Sequence, residues 1–132
     1  MAENTNQTFV LDASFILAFL LPDERNEQVM DVFKQYSQGK INFIASKVLP
    51  FEVANSLKNA IPKRVSQQNA IIMIENFLEL KIEFMEADLK QILNLSLFKD
   101  LSVYDASYLY LAQSQNFPLL TLDKKLQKLS PN

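Results

Sequence analysis

The sequence predicts an α/β protein, a three-layer α/β/α sandwich built on a short, mainly parallel sheet of four to five strands. Runs of strand-forming residues alternate with longer segments of helical period, which is typical of parallel strands joined by helices. The 132 residues suffice for one domain, and a hydrophobic content of 48% can fill its core. We therefore expect a single domain over residues 1–132, with the polar residues 1–7 flexible.

The first part of the chain predicts one strand and two helices. Residues 8–12 (TFVLD) are rich in strand formers. Residues 14–22 (SFILAFLLP) form a strongly apolar helical segment. Residues 26–40 are amphipathic and end near Gly39, and one face carries Val29, Val32, Phe33 and Tyr36.

From residue 41 onward, strands and helices continue to alternate. Further strands are predicted at 41–45, 81–85 and 118–122. Further helices are predicted at 49–62, 66–80, 87–98 and 103–112, with a short last helix from Asp123. Ser66 is the expected N-cap of the helix that follows it, because a serine hydroxyl can accept a bond from a free N–H of the first turn.

Composition excludes several kinds of chemistry. The chain has no cysteine and no histidine, which rules out disulfides, zinc–thiolate sites, imidazole metal sites and Ser-His-Asp or Cys-His catalysis. A single glycine leaves no glycine-rich phosphate loop. If the protein is catalytic, carboxylates and lysines must carry the reaction.

Charge and hydropathy indicate the expected location. The N-terminal MAENTNQ lacks the basic start and apolar run of a signal peptide. The longest apolar run, FILAFLLP, is far shorter than the roughly twenty residues that span a membrane. We therefore expect a cytoplasmic protein with no membrane partner. A net charge of −2 provides no overall basic field, so nucleic-acid binding would need a local basic patch.

Four acids are predicted to meet at one edge of the sheet. Asp12 ends the first strand and Asp123 follows the last, so both lie at the carboxyl edge, where parallel sheets bind ligands. Glu52 and Asp105 lie in the first turns of two helices, and helix starts can reach the same edge. Asp105 stands in the apolar segment VYDASYLYLA, where an unpaired carboxylate costs several kcal/mol.

Each acid also has a structural interpretation. Asp12 and Asp123 can cap the helices that follow them, and Ser102 with Asp105 fits a capping box. Glu52 can stabilise its helix through the dipole. Four such coincidences at one edge favour a shared site, and capping is compatible with cation binding, since a helix N-terminus keeps a carboxylate ionised.

Four segments carry a family resemblance: FVLDASFILAFL, FEVANSL, LSVYDASYLYLA and LLTLD. In order and spacing they resemble the acidic motifs of PIN-domain ribonucleases, and the small size is most similar to the VapC-type toxins of toxin–antitoxin pairs. The resemblance implies that Asp12, Glu52, Asp105 and Asp123 form the catalytic, metal-binding quartet and that Ser14 and Thr121 are accessory hydroxyls. One departure is the short stretch after Asp123, which leaves little chain for a fifth strand.

The resemblance implies a metal-dependent endoribonuclease that is the toxin of a type II toxin–antitoxin system. The oxygen ligands suit Mg²⁺ or Mn²⁺, which prefer carboxylates and water. The alternative is a PIN-fold interaction module that has lost activity.

Partners follow from the rest of the chain. Without the quartet, 11 of the 15 acidic residues remain against 13 basic ones, so a modest basic rim can form. Lys124, Lys125 and Lys47 are the expected RNA-binding residues. The helical segments 15–21 and 66–79 are richer in apolar residues than one core needs, which predicts a homodimer and a groove for an antitoxin helix. The alternative is that both segments are internal.

Overall fold

The computed structural model describes residues 6–130, in which four strands and seven α-helices alternate. The strands are β1 (Thr8–Leu11), β2 (Asn42–Ser46), β3 (Glu83–Met85) and β4 (Leu119–Leu120). The helices are α1 (Ala13–Leu20), α2 (Glu27–Ser37), α3 (Leu49–Ala60), α4 (Gln67–Glu79), α5 (Leu89–Lys99), α6 (Val103–Gln115) and α7 (Lys124–Leu129), with one 3-10 turn at Pro22–Glu24. The flexibility predicted for residues 1–7 concerns mainly residues 1–5, which lie outside the described residues.

The strands form one parallel sheet in the order β3-β2-β1-β4. Val10 in β1 is paired with Ile44 on one side and with Leu119 on the other, so β1 is central. The predicted α/β sandwich with a short parallel sheet is confirmed. Over residues 6–130 the sheet has four strands, the lower of the two numbers expected.

Two groups of helices cover the sheet. The helices α1 to α4 pack against one another, and α5 packs against α6, which also lies on β1 and β2. Burial follows the sequence pattern, because the apolar stripe of α3 (Leu49, Val53, Leu57 and Ala60) is the buried face of that helix. Within the described part of the chain, no helix is long and apolar enough to cross a membrane.

One expectation about α1 is wrong. Phe15, Ile16, Ala18 and Leu20 are each at most 3% exposed, so most of this segment is internal, and Leu17 and Phe19 are its partly buried apolar residues. The physical reason is that α1 packs against α2, α3 and α4 together, so most of its circumference is covered. In α4, by contrast, Ile71, Ile72 and Leu78 remain 52–61% exposed.

The strand β4 is shorter than the predicted segment 118–122. After Leu120 the backbone leaves the ladder, because its next donors bond to side chains: Leu122 N–H donates to Ser14 Oγ at 2.8 Å and Asp123 N–H to Thr121 Oγ1 at 3.0 Å. Hydroxyl groups thus replace strand pairing at the carboxyl edge. The strand order reverses between β1 and β4, which is where open parallel sheets place their ligand crevice.

Candidate active site at the carboxyl edge of the sheet

Asp12 is the most buried of the four acids, with 3% exposure. It follows β1 directly and is the N-cap of α1, where Oδ1 accepts from Phe15 N–H at 3.1 Å. Burial is the main cause that raises the pKa of this carboxyl, and the bonds from Ser14, Thr121 and Phe15 partly oppose the rise. The predicted cap role is therefore real, and it fixes the carboxylate at the sheet edge.

Two hydroxyls hold both oxygens of Asp12. Ser14 Oγ donates to Oδ1 at 2.6 Å, and Thr121 Oγ1 donates to Oδ2. Each hydroxyl has one hydrogen, so the 3.3 Å approach of Ser14 Oγ to Thr121 Oγ1 is a contact between two groups that already donate to Asp12. A carboxylate has about four acceptor positions, and Asp12 uses three, which leaves one on Oδ2. Asp12 is thus oriented and still able to bind a ligand.

Glu52 is held from the side by a buried tyrosine. It lies in the first turn of α3, half-buried, and Tyr108 Oη donates to its Oε1 at 2.7 Å. Burial raises the pKa of Glu52; the Tyr108 bond lowers it, and the negative charges of Asp105 and Asp12 raise it further. Burial and the Glu52 charge also raise the pKa of Tyr108 far above its ordinary value, so the phenol remains a donor.

Asp105 and Asp123 belong to the first turns of two other helices. Ser102 caps α6 by accepting from Asp105 N–H at 3.0 Å, and Asp123 caps α7 by accepting from Leu126 N–H at 3.0 Å. Asp105 is half-buried, whereas Asp123 is exposed. Burial and the charge of Asp123 raise the pKa of Asp105, while Ser102 and Lys125 lower it.

Asp105 links the four acids electrostatically. The negative charge of Asp105 raises the pKa of the Asp12 and Glu52 carboxyls. The negative charge of Asp123 in turn raises the pKa of Asp105. Asp12 also acts on Glu52, which places all four predicted residues in one interacting group. Among residues 6–130, however, no three carboxylates stand close enough to form a ready-made metal cluster.

The three predicted RNA-binding lysines differ in their surroundings. Lys125 Nζ donates to the backbone oxygen of Asp100 at 2.6 Å and lies in electrostatic range of Asp105. Lys124 is the first, exposed residue of α7, directly after Asp123. Lys47 forms an exposed ion pair with Glu86 at 2.8 Å, so part of its charge is already neutralised.

Sequence reasoning missed Tyr108, whose ring is fully buried and whose hydroxyl reaches the site. The available signal was its position three residues after Asp105, which places the two side chains on one face of α6. A buried tyrosine needs a partner for its hydroxyl, and here the partner is Glu52.

Comparison with known proteins agrees with this geometry. The PIN domain family model matches residues 9–130 of the chain. The chain belongs to the PIN-domain family. This PIN domain is 35% identical over 127 residues to ribonuclease VapC3 of Pyrobaculum aerophilum, with 92% of this chain and 94% of the relative covered. The predicted resemblance is confirmed.

Solved structures show the same fold. The crystal structure of PAE2754 from Pyrobaculum aerophilum matches with a TM-score of 0.75 and 22% identity, over 98% of this PIN domain and 90% of that chain. VapC20 of Mycobacterium tuberculosis, described as a sarcin-ricin loop cleaving toxin, matches with a TM-score of 0.67 and 12% identity, over 91% and 93% of the two chains.

The donors of this PIN domain suit a hard divalent cation. They are all carboxylate or hydroxyl oxygens, Asp12 retains an open acceptor position, and burial, with a smaller contribution from mutual repulsion, raises the pKa of the Asp12, Glu52 and Asp105 carboxyls. A divalent cation relieves that repulsion, and Mg²⁺ is commonly held by one or two protein carboxylates plus water and phosphate.

Proposed function

We propose that this PIN domain is a metal-dependent endoribonuclease whose catalytic residues are Asp12, Glu52, Asp105 and Asp123. One observation supports the proposal: four carboxylates that act on one another electrostatically lie around the reversal point of a parallel sheet. If the four acids served only to stabilise the fold, like charges would be expected to lie apart. A site that binds a cation and a phosphodiester needs several carboxylates near one another.

Asp12 and Asp105 are the proposed principal ligands of Mg²⁺ or Mn²⁺, with Glu52 and Asp123 completing the site. Bound there, the ion would supply charge neutralisation and polarise the phosphodiester for hydrolysis. Ser14 and Thr121 orient Asp12, and Tyr108 orients Glu52. Lys124 and Lys125 follow Asp123 and are proposed to attract the RNA backbone, with Lys47 a weaker contributor because of Glu86.

The decisive experiment combines cleavage with thermal melting. Single-stranded RNA should be cut with Mg²⁺ or Mn²⁺ and left intact with EDTA, and the same ions should raise the Tm, because they bind the native state alone. Asp12→Asn should remove cleavage. A wild-type protein that gains stability from the ions but cuts no RNA would instead be an inactive interaction module.

The proposed biological role is that of the toxin in a type II toxin–antitoxin pair, acting on RNA in the cytoplasm. The support is the likeness to a VapC ribonuclease. A cleft of about 670 Å³ between α2 and the end of α4 offers a place for an amphipathic antitoxin helix, with Phe19, Met30, Phe33, Tyr36 and Leu80 among its lining. Co-expression with the product of an adjacent short reading frame should yield a stable complex that no longer cuts RNA.

A homodimer is the proposed assembly. Leu89, Leu93 and Leu97 lie one turn apart on α5 and are 49–74% exposed, forming an apolar stripe that a second copy can cover. Light scattering should give twice the monomer mass for the wild type. Leu93→Lys should give the monomer mass, and an unchanged dimer would place the interface elsewhere.

A further inference from the structure

A small pocket opens beside Glu52, on the rim of the acidic site. It has a volume of about 290 Å³ and is lined by Val48, Phe51, Glu52, Asn55, Ser56 and Tyr104. That volume lies just below the usual range of about 300–1,000 Å³ for small-molecule sites. Because Glu52 belongs to both, a ligand in the pocket is adjacent to anything held by the four acids.

Two aromatic side chains at this pocket are exposed. Phe51 is 81% exposed and Tyr104 55%, in a protein whose other aromatic side chains mostly pack in the core. Each directly precedes an acid of the site, Glu52 or Asp105. Consecutive residues of a helix point about 100° apart, so when the acid faces the site the aromatic ring stands at its rim. Both helices therefore present an acid and a ring as a pair.

The lining selects the chemical class of the ligand. Its described residues include one carboxylate and no basic side chain, which disfavours a phosphate group. Asn55 and Ser56 offer hydrogen-bond donors and acceptors beside the apolar rings. A flat, uncharged, aromatic group with polar edges satisfies all of these features, and an unpaired nucleobase is such a group.

We propose that this pocket binds the base of the nucleotide next to the scissile phosphate, which stacks on Phe51 and Tyr104 while Asn55 and Ser56 read its edge. The inference rests on the proposed ribonuclease function, and it identifies one base as the part of the RNA that positions the substrate in the site. Stacking accepts any base and polar edge contacts favour some, so this pocket sets the sequence preference at one nucleotide of the cleavage site.

The test is a cycle of protein and substrate changes. After the cleavage position is mapped on short single-stranded RNA, the nucleotides flanking it are replaced in turn by an abasic residue. The wild type should lose about 5- to 100-fold in kcat/KM at one flanking position. Phe51→Ala should lose a similar factor on intact RNA and show no further loss on the abasic RNA, because the interaction is already gone. Phe51→Trp should restore the preference.

Leu78→Ala is the matched control. Leu78 is also exposed, at 61%, but it lies near the end of α4, which leads to the start of β3 at the opposite edge of the sheet. This variant should behave as the wild type in both substrates. Since Phe51 is largely in solvent, its truncation should leave the Tm unchanged, and melting curves verify that the kinetic loss is not unfolding.

Other outcomes overturn the inference in recognisable ways. Independent, multiplicative losses from Phe51→Ala and the abasic residue would show that the ring and base do not touch. A change in mass by light scattering with unchanged kinetics would assign the rings to a protein interface. If the wild type cuts no RNA, the proposed function fails by itself. The pocket is then tested with an RNA containing 2-aminopurine, whose fluorescence should be quenched by wild type and not by Phe51→Ala.

Discussion

Tyr108 Oη donates a 2.7 Å hydrogen bond to Glu52 Oε1 and joins the interior of α6 to the first turn of α3. The tyrosine is fully buried and the glutamate half-buried, so the bond fixes one carboxylate oxygen of Glu52 from the interior of the protein. Tyr108, which the sequence does not single out as a site residue, thus positions Glu52, which it does.

Tyr108→Phe should separate orientation from packing. The ring stays and the bond is lost, so the free energy of unfolding should fall by about 1–3 kcal/mol, as for bonds to charged groups. Because Glu52 loses its fixed geometry, the rise in Tm produced by Mn²⁺ should shrink as well. Thermal melting with and without the ion measures both effects.

Tyr36→Phe is the control for that variant. Tyr36 Oη donates to the backbone oxygen of Leu80 at 2.6 Å, away from the acids. Its removal should cost stability by about 0.5–1.5 kcal/mol and leave the Mn²⁺-induced rise in Tm at the wild-type value. An equal shrinkage in both tyrosine variants would mean that the effect is general destabilisation.

Asp105→Asn should lower RNA cleavage without lowering the stability of the metal-free protein. Asp105 is coupled to three other carboxylates, so neutralising it relieves repulsion, and Tm without metal should stay level or rise. Cleavage should collapse and Mg²⁺ should stabilise less. If capping dominates, Tm falls instead, with a loss on the order of 0.5–2 kcal/mol. A destabilised variant that still cuts RNA at the wild-type rate would refute the assignment.

Thr121→Val should disturb the site through Asp12. The variant removes the donor to Asp12 Oδ2 and leaves Asp123 N–H without its acceptor, which should cost about 1–3 kcal/mol. Thr121→Ser keeps the hydroxyl and should retain most of the stability and the metal response. Chemical unfolding of the two variants side by side makes this comparison, and equal losses would show that the methyl group matters as much as the hydroxyl.

The metal-free protein should become more stable on mild acidification. The pKa values of Asp12, Glu52 and Asp105 are raised in the native state, so that state binds more protons than the unfolded chain. Stability from these groups is complete below their unfolded pKa of about 4 and is lost as pH rises through the raised values. Tm should therefore increase as the pH falls from neutral toward the unfolded pKa of about 4.

Saturating Mg²⁺ supplies the control for the pH series. The ion stabilises the ionised carboxylates and competes with protons, so the increase toward acid pH should flatten or reverse. Asp105→Asn should also flatten it without metal. A Tm that falls steadily over the same acidification without metal would contradict the raised pKa values.

The sequence predicts the edge of the sheet better than the details of the site. Asp12 and Asp123 could be located because parallel strands share a carboxyl edge, whatever the packing around them. The helix caps at Asp12, Ser66 and Asp123 are also as predicted, since capping depends on neighbours in sequence.

Features that depend on distant neighbours were not predictable in the same way. The burial of α1 depends on three other helices, and the early end of β4 depends in part on the hydroxyl of Ser14, which comes from the other end of the chain. The Tyr108–Glu52 bond joins residues 56 positions apart, and the sequence gives no measure of the distance between their helices.

The hydrogen bonds of Thr121 and Ser14 join the start and the end of the chain, so they can form only late in synthesis. Thr121 and Asp12 are 109 positions apart, and both Thr121 and Asp123 are supplied after all of α6 has been made. A growing chain therefore carries Asp12, Glu52 and Asp105 before the segment that supplies Thr121, which orients Asp12, and Asp123. The acidic site is therefore incomplete on the ribosome until synthesis has passed residue 123.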